Sequence, residues 1–102
     1  MGTFVKVAEQ GGIAENSGKL VEVEGREIAL IRSGDEYYAL DNTCTHRGGP
    51  LAEGSVEGGE VKCPWHGAHF DLKTGQPTRS PAARGVTTYA VRVQGNDIEI
   101  EV

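Results

Sequence analysis

No stretch of the chain approaches the ~20 consecutive apolar residues that a membrane-spanning helix needs. Basic residues are in deficit, ten against fifteen acidic, for a formal net charge of -5. At long range such a chain repels phosphate backbones and anionic membrane surfaces, so neither nucleic acid nor a membrane is expected as a partner. Only two cysteines are present, and Met1 to Val7 shows no charged region followed by an apolar stretch of the secretory kind. The expectation is therefore a soluble, cytoplasmic protein whose thiol pair serves metal or redox chemistry rather than a disulfide. Proline occurs only four times, against fifteen glycines in 102 residues. Glycine is thus about twice as frequent as its ~7% average, which favours many tight turns over a polyproline or collagen-like chain. Apolar residues nowhere repeat at helical spacing for three turns.

What is present is a rhythm of short β-rich runs and glycine turns, the pattern of an all-β domain. The length fits a single domain, residues 1-102, with a thin core. Strands are expected over Thr3 to Val7, Lys19 to Glu24, Glu27 to Arg32 and Tyr37 to Leu40, with turns at Gly25-Arg26 and at Ser33 to Glu36. Val86 to Val93 and Ile98 to Val102 flank the turn Gln94-Gly95-Asn96-Asp97, a hairpin expected to carry Tyr89, Val91 and Val93 on one face.

The central stretch, Asp41 to Pro81, breaks this rhythm with two glycine- and proline-containing loops of the kind that usually carry function. Both cysteines and all three histidines lie there. One loop offers Cys44-x-His46 and the other Cys63-x-x-His66, with 16 residues between the pairs. Thiolate and imidazole ligate zinc, copper and iron-sulfur iron, and the neighbouring glycines and prolines let the backbone turn closely around a metal. Alone, each residue has a plainer explanation: a buried small cysteine, a surface histidine, a turn. Four soft ligands in two matched loops point to a metal site.

With Cys-x-His, a spacer and Cys-x-x-His matched in full, the sequence resembles the Rieske-type proteins. The likeness extends to Leu51 after Gly48-Gly49-Pro50, to Pro64 and Gly67, and to Phe70-Asp71 with Thr74-Gly75. It implies an all-β Rieske iron-sulfur fold, with antiparallel sheets in a sandwich or partial barrel. A small cluster-binding subdomain would be built on loops at about 41-51 and 61-73. It further implies one [2Fe-2S] cluster, with Cys44 and Cys63 on one iron and His46 and His66 on the other. His69 matches no ligand position and is expected to be a structural or surface residue. Such a cluster is neutral when oxidised and one unit negative after one electron, and all its iron positions are filled, so it carries electrons and catalyses nothing itself.

Departures from the cytochrome-complex branch refine this expectation. The positions of that branch's loop-bracing disulfide correspond to Gly49 and Trp65, and those of its serine and tyrosine donors to Ala68 and Phe70. No covalent brace and no hydroxyl donor is available, which implies a potential near the low end of the family. The sequence is similar instead to the Rieske ferredoxins of bacterial aromatic-ring dioxygenase systems. That likeness implies a monomeric one-electron carrier between a flavin-dependent ferredoxin reductase and a terminal Rieske non-haem iron oxygenase.

Competing readings are a structural zinc module and a small subunit of a nitrite-reductase-like flavoenzyme. Zinc sites usually pair like ligands with like, and this chain mixes one of each per loop. A catalytic cysteine would need an orienting group and an oxyanion site that the sequence does not offer. An oxygenase catalytic subunit would need a second iron site, for which only His69 remains. Charges in the two loops, Asp41, Arg47, Lys62, Asp71 and Lys73, nearly cancel. Pro50, Leu51, Pro64, Trp65 and Pro81 are therefore expected to form an apolar docking rim around the site.

Overall fold

The computed structural model describes residues 2-43, 48-65, 67-79 and 84-102. Among these residues the strands run in the order β1 (Phe4–Glu9), β2 (Ser17–Val23), β3 (Arg26–Ser33), β4 (Glu36–Asp41), β5 (Ser55–Glu57), β6 (Glu60–Lys62), β7 (His69–Asp71), β8 (Pro77–Arg79), β9 (Thr88–Tyr89), β10 (Val91–Gln94) and β11 (Asp97–Glu101). A 3-10 turn, Leu51–Glu53, precedes β5. The strands form three antiparallel sheets with orders β1-β11-β10, β2-β3-β4-β9 and β5-β6-β7-β8. The expected all-β antiparallel architecture is thus what the chain adopts. No helix among the described residues is long and apolar enough to cross a membrane.

β3 explains how three sheets share one small body. Ile28, Ala29, Leu30 and Ile31 are all fully buried, and successive side chains of a strand point to opposite faces. Ile28 and Leu30 enter one core with Val21, Val23, Ala39, Ile98 and Ile100. Ala29 and Ile31 enter the other, with Leu40, Leu51, Val61, Cys63, Phe70 and Leu72. Full burial of each of the larger side chains stabilises the fold by about 1.5–3 kcal/mol. The second core joins the middle sheet to β5-β8 and contains one of the candidate ligands.

Three expectations are corrected. The β2-β3 turn is Glu24-Gly25, with φ +51° and +79°, and Arg26 already pairs with Val23; two positive φ angles make the tight hairpin that matches strand twist. Val86 to Val93 is not one strand, because β9 pairs with β4 and β10 with β11. The chain changes sheets at Ala90, so Tyr89 and Val91 pack on the first core while Val93 stays 42% exposed. The central stretch is more than loops: residues 55-79 hold four three-residue strands.

Candidate metal centre

Each loop springs from a neck of backbone hydrogen bonds. At the first, Thr43 bridges Pro50, and Asn42 N–H donates to Glu27 O at 3.0 Å while its own carbonyl accepts Leu51 N–H at 2.7 Å. Asn42, 5% exposed, adds its side chain, whose Oδ1 accepts Ala52 N–H at 2.8 Å. Asp41 is tied to the neighbouring strand by its N–H to Thr87 O at 2.9 Å and by Tyr89 Oη, which donates to Asp41 Oδ1 at 2.6 Å. Burial of the Tyr89 ring edge, then this hydrogen bond, push the phenol above its usual range.

At the second neck Lys62 pairs with His69, and Cys63 N–H donates to Ala68 O at 2.7 Å. Strand alternation sends Val61, Cys63, Ala68 and Phe70 inward, where all four are fully buried. Lys62 and His69 point to the opposite face. There His69 Nδ1 donates to Glu60 Oε1 at 3.2 Å. Beyond β7, Asp71 Oδ1 accepts the N–H groups of Lys73 and Thr74 at 2.8 and 3.0 Å. That side-chain turn makes Asp71-x-x-Thr74-Gly75 a stabiliser of the β7-β8 connection.

Cys63 Sγ is covered by both loops. Trp65 N–H donates to it at 3.4 Å. Gly49 of the first loop lies so close that a Cβ built there would stand 2.5 Å from Cys63 Sγ and 3.1 Å from both Trp65 Cβ and Cγ. The sulfur therefore faces the first loop, the segment in which Cys44 and His46 stand in sequence. A buried sulfur facing the loop that carries the other candidate ligands in sequence fits a group held jointly by the two. Cys44, His46, Arg47, His66 and Pro81 lie outside the described residues. Among the described residues no three His, Cys, Asp or Glu side chains are placed to hold a metal.

The rim is partly as expected. Trp65 is 50% exposed, Pro64 is exposed and Pro50 is half-buried. Leu51 is fully buried and must be removed from the rim: it opens the 3-10 turn and packs under the first loop with Ala29, Val61 and Phe70. Two residues to which sequence reasoning assigned no such contact emerge here. Asn42 looks like any turn asparagine in the sequence, and the seat of Gly49 on Cys63 depends on the apposition of two loops.

Residues 3–90 match the family model described as the Rieske [2Fe-2S] domain. A Pseudomonas putida protein named "Naphthalene 1,2-dioxygenase system, ferredoxin component" is 38% identical over 99 residues, covering 97% of this chain and 95% of its own. Among solved structures, the ferredoxin of carbazole 1,9a-dioxygenase from Nocardioides aromaticivorans IC177 superposes with a TM-score of 0.91 at 34% identity, covering 96% of both chains. A structure described as a complex of reduced oxygenase and oxidized ferredoxin in carbazole 1,9a-dioxygenase matches with a TM-score of 0.89 at 30% identity, covering 96% of this chain and 92% of the other.

Proposed function

The chain belongs to the Rieske [2Fe-2S] domain family, and on that basis we propose that it is a soluble, cytoplasmic, monomeric one-electron carrier of an aromatic-ring dioxygenase system. It takes electrons from a flavin-dependent ferredoxin reductase and delivers them to a terminal Rieske non-haem iron oxygenase. The observation that carries the reading is the Cys63 sulfur, buried and turned toward the other loop, in a chain matched to ferredoxin components over nearly its whole length.

Cys44 and Cys63 would hold one iron of a single [2Fe-2S] cluster, and His46 and His66 the other. When bound, the cluster accepts and returns one electron and offers substrate no open coordination position. The protein's own contribution is to hold and cover it. Backbone bonds at the two necks fix the loop bases, the second core buries Cys63, and Trp65 presents an exposed indole beside the tip. Ala68 and Phe70, both buried next to Cys63, contribute no hydroxyl donor. A reduced, more negative centre is then stabilised less, which places the potential toward the low end of the family range of about -150 to +300 mV. A structural relative is described in complex with its oxygenase, which supports an oxygenase as the partner.

The test is anaerobic reconstitution, followed by electron delivery from a flavin reductase to a purified aromatic-ring oxygenase. Two irons and two sulfides per chain, a Rieske-type EPR signal and product formation dependent on the carrier are expected. Stoichiometric zinc with no iron or sulfide overturns the reading. So does a reconstituted protein that no oxygenase oxidises.

A further inference from the structure

We propose that Asn42 is the positioning residue of the first ligand loop: its buried carboxamide ties the loop's entry to its exit, and this non-covalent closure presents Cys44 and His46 to Cys63 in a chain that has no bracing disulfide. The inference rests on the reading of these three residues as cluster ligands.

Asn42 is the one buried polar side chain among the described residues. A carboxamide in a core costs free energy unless it is hydrogen-bonded, so its partners explain why it stands there. Oδ1 accepts the Ala52 N–H at 2.8 Å, and the main-chain O accepts the Leu51 N–H at 2.7 Å. The 3-10 turn that opens at Leu51 receives no side-chain cap from its own N-terminal neighbour, Pro50. A serine or aspartate at that position would cap the turn locally. The cap comes instead from the far end of the loop, so that residues 43–50 are closed into a ring, with Thr43 bridging Pro50 inside it.

The ring is anchored on two sides. Asn42 N–H donates to Glu27 O of β3 at 3.0 Å. Leu51 is fully buried and shares the second core with Val61, Cys63 and Phe70, while Ala52 lies against β2, where a Cβ on Gly18 would stand 2.7 Å from Ala52 O. Asn42 precedes Cys44 by two residues, at most about 7 Å of chain, so a shift of the neck reaches that ligand with little slack. An open loop must give up its freedom when the metal group binds, and a closed one has given up part of it already. Ring closure therefore acts on metal affinity as well as on folding.

Asn42→Ala removes the side-chain acceptor and Asn42→Asp keeps it. Ile98→Val and Ile98→Ala, in the other core, are controls that bracket the expected stability loss without touching the loop. Urea midpoints are measured without metal, and cluster lifetime against a chelator and EPR g-values after reconstitution. Asn42→Ala is expected to lower the midpoint, to lose iron about 10-fold faster than the Ile98 variants at a matched loss of midpoint, and to show displaced g-values. Asn42→Asp is expected to restore most of the lifetime, and the controls to keep the parent's g-values. Should Asn42→Ala fail to fold, the comparison is made with Asn42→Ser, whose acceptor is shorter by one bond, and the same outcomes apply. Controls that lose iron as fast at a matched midpoint overturn the proposal and leave Asn42 a cap of the turn. Parent-like lifetime and g-values in Asn42→Ala also overturn it, with the cluster reading intact. A parent that takes up no iron and sulfide overturns that reading, and the positioning role with it.

Discussion

Asn42 and Ala52 are joined across the base of the first loop, the carboxamide Oδ1 of one accepting the backbone N–H of the other at 2.8 Å in a buried setting. Because the same asparagine also bonds Leu51 and Glu27 through its main chain, the loop base, the 3-10 turn and β3 meet at one residue. Asn42→Ala leaves the Ala52 N–H without its acceptor, a loss of about 1–3 kcal/mol. For a domain of this size that lowers the melting temperature by roughly 4–8 °C per kcal/mol. Calorimetry on the parent and on Asn42→Ala and Asn42→Asp checks it, with the aspartate variant, which keeps the acceptor, expected to lose less. An alanine variant as stable as the parent contradicts the clamp.

Ala68 stands beside Cys63 and its carbonyl accepts the Cys63 N–H. Replacing it with serine introduces a hydroxyl near the cluster sulfurs. The more negative reduced state gains more from a donor than the oxidised state does, so the potential of Ala68→Ser should rise. A differential of about 1 kcal/mol per hydrogen bond is about 40 mV for a one-electron couple. Protein-film voltammetry reads it directly. Phe70→Tyr should act in the same direction and add to it, and a double variant no higher than the parent refutes the assignment.

The Tyr89–Asp41 hydrogen bond makes a pH prediction. Burial and then the carboxylate of Asp41 raise the phenol above its normal range in the folded chain. A raised folded pKa means that the fold favours the protonated phenol. Its contribution to stability is full below the unfolded value of about 10 and is lost as pH climbs through the higher folded value. Tyr38 titrates in the same sense through its hydrogen bond to Glu36. Tyr89→Phe should cost about 0.5–1.5 kcal/mol at neutral pH and flatten part of the stability loss above pH ~10. Urea titrations between neutral and strongly alkaline pH measure both. An alkaline slope unchanged in Tyr89→Phe counts against the pairing.

Trp65 is a large aromatic half exposed in the second loop, and exposed aromatics are typical anchors of protein interfaces. Trp65→Ser should raise the carrier concentration needed for half-maximal oxygenase reduction, by roughly 30-fold if the anchor is worth about 2 kcal/mol. Trp65→Phe should fall between. Stopped-flow reduction of the oxygenase, read alongside the potential of each variant, separates docking from driving force. Unchanged half-saturation in Trp65→Ser removes the indole from the interface.

The fold was legible in the sequence wherever strands were long enough to show a period. β2, β3 and β4 emerge from alternation and from glycine turns, and the continuous apolar run of β3 is what burial on both faces demands. β5 to β8 were not legible, since three residues cannot display a period of two and their glycine-rich surroundings read as loop. The sheet change at Ala90 was hidden for a related reason: nothing in Thr88 to Val93 marks which neighbour each residue pairs with. Leu51 was misplaced because Gly-Gly-Pro-Leu looks like an exposed tip until the Leu51 N–H is seen bound to Asn42. The two Cys–His pairs stood out as candidate ligands through chemistry and spacing. The seat of Gly49 on Cys63 did not, because it exists only where two distant segments touch.

β3 serves two cores at once, and this restricts how the protein can be taken apart. The ligand loops and the sheet beneath them look like a transplantable cassette, with ends at Asp41 and Val86. Excised, β5-β8 would present Val61, Phe70 and Leu72 to water, while the remaining scaffold would bare Ala29, Ile31 and Leu40. Neither piece closes its own interior, so grafting the loops onto another β-framework requires a recipient strand that is apolar on both faces.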